Sequence, residues 1–436
     1  MKTINKKIIS VDQALSLIKS GDEIVSGLAA AESREILSRL HEIADRVKDV
    51  SVVTCLPMGQ YDFFSKKGYE DAFLMEGWFY SGVMRKLHHN GNITFIPNHL
   101  HFASEKRMAY KNPNIYIGNC TLPDRHGYVS LGVSTVYEKD MIEKADLVIL
   151  EMNPNVPRTF GDTIVHISQV DYFVEGATEL PELPSTVVNE KDEKIGKYIA
   201  DLIEDGSTIQ LGIGGIPNAV AQALKGKKDL GIHTEMFTDG MVDLIESGAV
   251  TNRKKTLHPD KMVAAFALGS KKLYDFIHDH PAIHIMKGSY VNDPYVIGKN
   301  HKMVSINTSI EVDLTGQCCS ESVGSRQISG TGGQADTAIG AQRSPGGKSF
   351  IALYATANIK NKITGEIEEK SKIVSMLTPG AIVSLSRNDV DYVVTEYGVA
   401  ALKGTSVRER VKRLIAIAHP QFRESLEKEA KELMLW

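Results

Sequence analysis

The chain predicts an α/β fold built from two tandem, related open α/β domains. Three observations carry that expectation. The 436 residues are more than one core usually serves. Short apolar runs rich in β-branched residues alternate with helical stretches. One strand-and-turn signature occurs twice, 185 residues apart.

Val50 to Thr54 reads Val-Ser-Val-Val-Thr, and Ala145 to Leu150 reads Ala-Asp-Leu-Val-Ile-Leu. Both suit buried parallel strands, which are apolar on both faces. Ser33 to Arg46 and Ala219 to Lys225 read as helices between strands. The repeat pairs Leu17-Ile-Lys-Ser-Gly21-Asp-Glu-Ile24-Val-Ser-Gly27-Leu28 with Leu202-Ile-Glu-Asp-Gly206-Ser-Thr-Ile209-Gln-Leu-Gly212-Ile213. Each copy reads as a helix end, a glycine stop, a strand, and a glycine turn into the next helix. So long an offset excludes a solenoid and suggests a duplicated domain. Glu179-Leu-Pro181-Glu-Leu-Pro184-Ser-Thr, with two prolines and no apolar period, reads as the linker. The expected domains are therefore 1–185 and 186–436. From Ser406 to Leu435, Val407, Val411, Leu414, Ile415 and Ala418 recur at helical spacing, with charged residues forming a solvated face.

Composition is that of a folded protein, 42% hydrophobic and 24% charged, which excludes disorder. A net charge of −4 points to neither nucleic acid nor an anionic membrane. Four cysteines, two of them adjacent, suit a reducing cytoplasm better than a disulfide framework. The first residues turn polar too soon for a signal peptide, and no apolar run approaches the roughly 20 residues of a membrane span. The 14 histidines form no His-Glu-x-x-His motif, and no paired Cys-x-x-Cys exists, so loop or surface positions and no metal are expected. No Gly-x-Ser-x-Gly elbow is present either.

The most informative stretch runs from Leu211 to Gly240. Gly212-Ile-Gly214-Gly215-Ile-Pro217 is a glycine-rich turn from strand to helix, and Glu235 follows 21 residues after Gly214. A dinucleotide fingerprint has this layout, with the acid on a ribose about 20 residues on. Pro217, however, stands where the third glycine belongs. It fits better as the first residue of a helix, where no amide donor is needed. The turn's amides and the helix N-terminus would then face a negative charge, either a pyrophosphate or an oxyanion formed in a reaction. Glu235 has Ile232, Met236 and Phe237 near it, which desolvates a carboxylate and makes it more basic and nucleophilic. Asp239-Gly240 reads as a turn, placing Glu235 at a strand end, where ligands bind in open α/β sheets. On this reading Glu235 either holds a ribose or attacks a substrate, and a tight turn without a ligand is the third account.

Further glycine and turn segments occupy the second half: Tyr290-Val-Asn292-Asp293-Pro294, Leu314-Thr-Gly316-Gln317 after the strand Ile310 to Asp313, Ser329-Gly330-Thr-Gly332-Gly333-Gln334-Ala-Asp336, and Arg387 to Gly398. Such glycine density costs backbone entropy unless a close approach is needed.

Together these segments resemble the class I coenzyme A transferases, in the acetyl-CoA hydrolase/transferase branch. That branch includes 4-hydroxybutyrate CoA-transferase and butyryl-CoA:acetate CoA-transferase. Met75-Glu-Gly-Trp78-Phe79 and Asn153-Pro-Asn-Val-Pro157-Arg-Thr-Phe-Gly161-Asp162-Thr look like its N-terminal domain. The Gly212 turn, Ile232-His-Thr-Glu235-Met, Gly330 to Asp336, Val394-Thr-Glu-Tyr-Gly398 and Ala416-Ile-Ala-His419-Pro420-Gln-Phe-Arg423 look like its C-terminal domain.

The resemblance implies two similar α/β domains of CoA-transferase-like fold. It implies Glu235 as the nucleophile, with Gly212, Ile213, Gly214, Gly215 and Ile216 at a coenzyme A and oxyanion site. Gly332 and Gly333 would join that site, Ile310 would contact CoA, and Asn292 would serve an external oxyanion hole. Two departures from relatives, Ala335-Asp336-Thr337 and Cys318-Cys319, are expected near the acyl pocket.

The implied activity is transfer of CoA between a short-chain acyl-CoA (4-hydroxybutyryl-, butyryl- or acetyl-CoA) and an acid such as acetate, through a glutamyl-CoA thioester. No metal or prosthetic group is expected, CoA being a substrate. The partners are acyl-CoA and short carboxylic acids, and the assembly a homodimer. An acetyl-CoA hydrolase using the same glutamate, an NAD-binding oxidoreductase and a non-catalytic CoA-binding protein are the other readings.

Overall fold

The computed structural model describes residues 6–184, 186–360 and 365–435. Its first sheet is built from β1 (Glu23–Ser26), β2 (Val50–Thr54), β3 (Phe73–Gly77), β4 (Ile93–Phe95), β5 (Ile115–Cys120), β6 (Leu147–Met152) and β8 (Tyr172–Glu175). All seven strands are parallel, in the order β8-β6-β5-β1-β2-β3-β4. The second sheet contains β9 (Thr208–Leu211), β10 (Gly231–Phe237), β11 (Met262–Ala267), β12 (Ile283–Ile285), β13 (Met303–Thr308), β14 (Lys348–Ala352), β15 (Tyr392–Thr395) and β16 (Gly398–Ala401). Its order is β16-β15-β14-β13-β9-β10-β11-β12, and β7 (Phe160–Gly161) from the first half of the chain adds in parallel beyond β12.

Strand by strand, β15-β14-β13-β9-β10-β11-β12 repeats the order of the first sheet. The duplication seen in the sequence is thus a duplication of topology. α1 (Val11–Ser16) and α2 (Glu190–Asp201) end before Gly21 and Gly206, whose φ of 77° and 76° is left-handed. Glycine takes that conformation without steric cost. Both copies then enter a central strand. Glu23 pairs with Ser51 in one sheet, and its repeat partner Thr208 pairs with Gly231 in the other. Four residues along each second strand, Cys55 stands where Glu235 stands.

Strand order reverses at β1 and at β9, so each domain has a crevice at the carboxyl ends of its central strands. Most of these strands are buried on both faces, which explains their near-continuous apolar character. One hydrophobic cluster runs through both domains and includes Leu28, Trp78 and Tyr137 with Phe237, Phe266 and Phe350.

Several local expectations shift. Ser33 to Arg46 is not one helix but a short α-helix, Arg34–Leu37, and a 3-10 turn, Leu40–Ile43. Spacings of three and four serve both forms, so the buried Ile36, Leu37 and Leu40 could not distinguish them. The strand expected at 145–150 runs from 147 to 152, because Ala145 terminates the preceding helix. The helix after the glycine turn, α3 (Gly215–Ala223), starts two residues before Pro217. A proline is still tolerated there, because first-turn amides have no intrahelical partner. Asp239-Gly240 opens a helix, α4 (Asp239–Glu246), instead of forming a turn, and the aspartate suits the positive end of its dipole. The two C-terminal helices, Val407–Ile417 and Pro420–Glu432, stand where the periodicity placed them.

β8 ends at Glu175 and α2 begins at Glu190; the expected boundary residue, Ser185, lies outside the described residues. Among the described residues no helix is long and apolar enough to cross a membrane.

Candidate functional site

Glu235 lies near the carboxyl end of β10. β9 pairs with β10 through Thr208–Gly231 and Ile209–Ile232. Carried forward, that register sets Gly212 beside Glu235. β9 has ended by then, so the carboxylate opens over the glycine turn instead of facing another strand.

The site is completed from two other elements. α5 (Gly288–Val291) ends at Asn292, whose Nδ2 donates to Glu235 Oε2 at 2.7 Å. The loop before α6 (Gln334–Arg343) brings the Gly333 amide to the same carboxylate. A Cβ on Gly333 would lie 1.8 Å from Glu235 Oε2 and 2.1 Å from Asn292 Nδ2, so only glycine fits between them. Burial raises the Glu235 carboxyl to about 7, opposed by the Asn292 and Gly333 hydrogen bonds and reinforced by the nearby Asp336 charge.

The cavity over Glu235, about 340 Å³, lies between the domains. Gln210, Gly212, Ile213, Asn307, Thr308 and the 329–334 loop line it from the second domain. Leu28, Cys55, Leu56, Phe79, Arg85 and Leu100 line it from the first. Among the described residues, Glu235 and Arg85 are its only charged lining residues.

The 329–334 loop is held by the first domain. Leu100 donates its amide to the Gly332 carbonyl at 3.0 Å, and Tyr80 donates to Ser329 at 3.3 Å. Arg85 Nε donates to the Ile328 carbonyl at 2.7 Å. Just beyond the loop, Asp336 is buried and bonded to His101 Nδ1 at 2.7 Å.

Of the residues singled out in the sequence, Gly212, Ile213, Gly332, Gly333 and Glu235 line the cavity, and Asn292 touches Glu235 directly. Gly214, Gly215, Ile216 and Ile310 are not among its lining residues. Gly214 caps α3 with φ 114°. Gly215 faces α2, where a Cβ would sit 2.4 Å from Asp192 Oδ2. Ile216 is in the core, and Ile310 hydrogen-bonds through its amide to the Cys319 carbonyl. Cys318 and Cys319 are buried and do not line the cavity, though the next residue, Ser320, does.

The histidines divide: His233 is 1% exposed rather than on a surface loop, and burial lowers it to about 3. No cluster of three or more His, Cys, Asp or Glu that could hold a metal is found among the described residues.

Sequence reading missed the first domain's share of the wall. Leu28 closes the first copy of the repeat and Phe79 ends the Met75–Phe79 segment, but Cys55, Leu56, Arg85 and Leu100 stand in no motif. A usable signal was the repeat itself, since the position equivalent to Glu235 is Cys55.

Residues 1–188 match the acetyl-CoA hydrolase/transferase N-terminal domain, and residues 269–430 match the C-terminal domain of the same description. The chain is 43% identical to 4-hydroxybutyrate coenzyme A transferase of Clostridium kluyveri, over 98% of each protein. It is equally, 43%, identical to succinyl-CoA:cyclohexane-1-carboxylate CoA transferase of Geobacter metallireducens, over 99% of this chain and 97% of the relative. Among solved structures, RipA from Yersinia pestis superposes with a TM-score of 0.92 at 35% identity, covering 99% of both chains. With both of its domains matched and full-length relatives at this identity, the chain belongs to the acetyl-CoA hydrolase/transferase family.

Proposed function

We propose that the protein is a CoA-transferase that exchanges CoA between a short-chain acyl-CoA and a carboxylic acid, with Glu235 as the nucleophile. The observation that carries this reading is the Glu235 carboxylate. It is half-buried at the floor of an interdomain cavity, held by two hydrogen-bond donors and raised by desolvation to about 7. Such a carboxylate is more basic than an exposed one, yet ionised in about half of the molecules at neutral pH. The naming of full-length relatives as CoA transferases supports the same class.

The carboxylate attacks the thioester carbonyl of the acyl-CoA. Collapse of the tetrahedral intermediate expels the CoA thiolate and leaves a mixed anhydride between Glu235 and the acyl group. The thiolate attacks the glutamyl carbonyl, the acyl carboxylate leaves, and a glutamyl-CoA thioester remains. The second acid's carboxylate attacks that thioester and the thiolate departs. The thiolate then attacks the acyl carbonyl of the new anhydride, which frees the new acyl-CoA and restores Glu235.

The donors now on Glu235, the Asn292 amide and the Gly333 N–H, are placed to receive the oxyanion that forms at the glutamyl carbon. One such donor is worth about 3 kcal/mol, roughly 100-fold in rate. Gly212 and Ile213 line the cavity where their backbone can meet the incoming thioester.

Apolar walls from Leu28, Leu56, Phe79 and Leu100 favour a short apolar acyl chain such as acetyl or butyryl, with 4-hydroxybutyryl in the same size range. The chemistry needs no metal or prosthetic group, because each bond exchanged resembles the one it replaces. Four unpaired, buried cysteines suit the reducing cytoplasm, and a homodimer is the assembly to test.

The test is direct. Incubation with acetyl-CoA and peptide mass spectrometry should place a CoA adduct on Glu235. Borohydride should instead release CoA and leave the reduced alcohol at that position, and Glu235→Ala should abolish adduct, reduction and turnover. Full activity in that variant would end the proposal. Continued release of free acid beyond one equivalent per enzyme without any acceptor would make the enzyme a hydrolase using the same glutamate.

A further inference from the structure

We infer that His233 is a positioning residue for this reaction: it fixes the end of α5 so that the Asn292 amide meets Glu235. The inference rests on Glu235 being the nucleophile.

His233 and Glu235 are two residues apart on β10, so their side chains leave the same face of the sheet. α5 packs against β10. His233 Nε2 hydrogen-bonds the Val291 carbonyl at 2.8 Å, and Glu235 Oε2 accepts from Asn292, the next residue, at 2.7 Å. The Val291 carbonyl belongs to the rigid peptide plane that joins Val291 to Asn292. Fixing that carbonyl therefore fixes the direction in which Asn292 leaves the helix.

Asn292 needs such support. It is fully buried, and among the described residues its one side-chain hydrogen bond is the bond to Glu235. Its Oδ1 is buried and has no partner among the described residues. Among the described residues no second side-chain bond orients the amide, so its aim comes from the backbone. The same helix is gripped one residue earlier, where the Tyr290 hydroxyl meets His258 Nε2 at 2.8 Å. Tyr290, Val291 and Asn292 are thus held in succession by His258, His233 and Glu235.

The His233 ring is otherwise idle. Its Nδ1 is buried and unpartnered among the described residues, so it carries the cost of a bare polar atom for one hydrogen bond. Because Nε2 must donate to a carbonyl, the ring is held as the Nε2–H tautomer. Burial and the neighbouring Lys255 keep it neutral.

The experiment compares His233→Asn with His233→Gln. A glutamine amide reaches about as far as Nε2 and can donate to Val291; an asparagine amide reaches only as far as Nδ1 and cannot. His233→Asn should lower kcat about 10- to 100-fold, the scale of a misplaced catalytic group. KM for acetyl-CoA should stay near wild type, and His233→Gln should restore most of kcat. In an Asn292→Ala background, His233→Asn should cause no further fall in kcat.

Equal kcat in the two variants would overturn the inference, as would losses that multiply with that of Asn292→Ala. Thermal unfolding, followed alongside, separates a folding defect from a positioning one. Glu235→Ala is run in parallel: an active Glu235→Ala removes the nucleophile reading itself, whereas an inactive Glu235→Ala with an unaffected His233→Asn removes only this inference.

Discussion

Replacing Gly333 by alanine tests the site with a single methyl group. Gly333 has φ −101°, a conformation open to any residue, so alanine brings no backbone strain. The whole effect is the collision. The new Cβ would lie 1.8 Å from Glu235 Oε2 and 2.1 Å from Asn292 Nδ2. For an ordinary contact of 3.4 Å, the carboxylate must retreat by about 1.6 Å, the difference between the two distances. A displacement of about 1 Å costs on the order of 100-fold in a reaction that depends on approach geometry. The move also separates Glu235 from the Asn292 amide, a donor worth up to another 100-fold or so. Gly333→Ala should therefore lose at least about 100-fold in kcat, measured with acetyl-CoA and butyrate, and in the rate of adduct formation at Glu235. Gly226→Ala is the control, since nothing lies within 4 Å of a Cβ there. A Gly333→Ala enzyme that forms the adduct at the wild-type rate would refute the reasoning about this contact.

Four further outcomes follow. Adduct formation should rise with pH through about 7 as Glu235 ionises, with about a tenth of the plateau rate one unit below 7. Between 4.5 and about 7 the folded protein holds a proton on Glu235 that the unfolded chain has lost, so this group's contribution to stability falls as pH rises. Glu235→Gln should therefore gain on wild type across that window, by about 3 kcal/mol at most, as read by denaturant unfolding at pH 5 and pH 8. Gly215→Ala should destabilise by about 1–3 kcal/mol through its clash with Asp192 while leaving KM for acetyl-CoA close to wild type; a large rise in KM would return Gly215 to the ligand site. Cys55, buried and with its thiol raised by desolvation and the Glu235 charge, should resist iodoacetamide at pH 8 in the folded protein, which intact and peptide mass can establish.

The doubling of the fold was legible because its glycine stops and strands repeat in order, and local grammar needs no knowledge of packing. Glu235 was legible because a carboxylate among apolar neighbours at a strand end is locally unusual. Gly214, Gly215 and Ile216 show the limit of that kind of reading. A glycine marks a close approach but does not name the neighbour, and for Gly215 the neighbour is the Asp192 carboxylate. Arg85 and Leu100 carried no signal at all. They reach the cavity only because one domain packs on the other, and their roles depend on contacts with residues more than 200 positions away. Helix and strand limits moved by two to four residues, where capping and the start of pairing decide what periodicity leaves open.

The short strand β7 has a consequence for how the molecule is made. Phe160 and Gly161 belong to the first half of the chain but pair with His284 and Ile285, which are synthesised roughly 120 residues later. The first sheet can be complete while this strand still waits for its neighbour. Two residues are too few to present a sticky edge in the interval. Gly161 then admits the Ile285 backbone so closely that a Cβ would stand 2.4 Å from its carbonyl. The older half thus carries a template on which the outer edge of the younger half finishes. The chamber over Glu235 closes later still, because its 329–334 wall follows that edge in the chain.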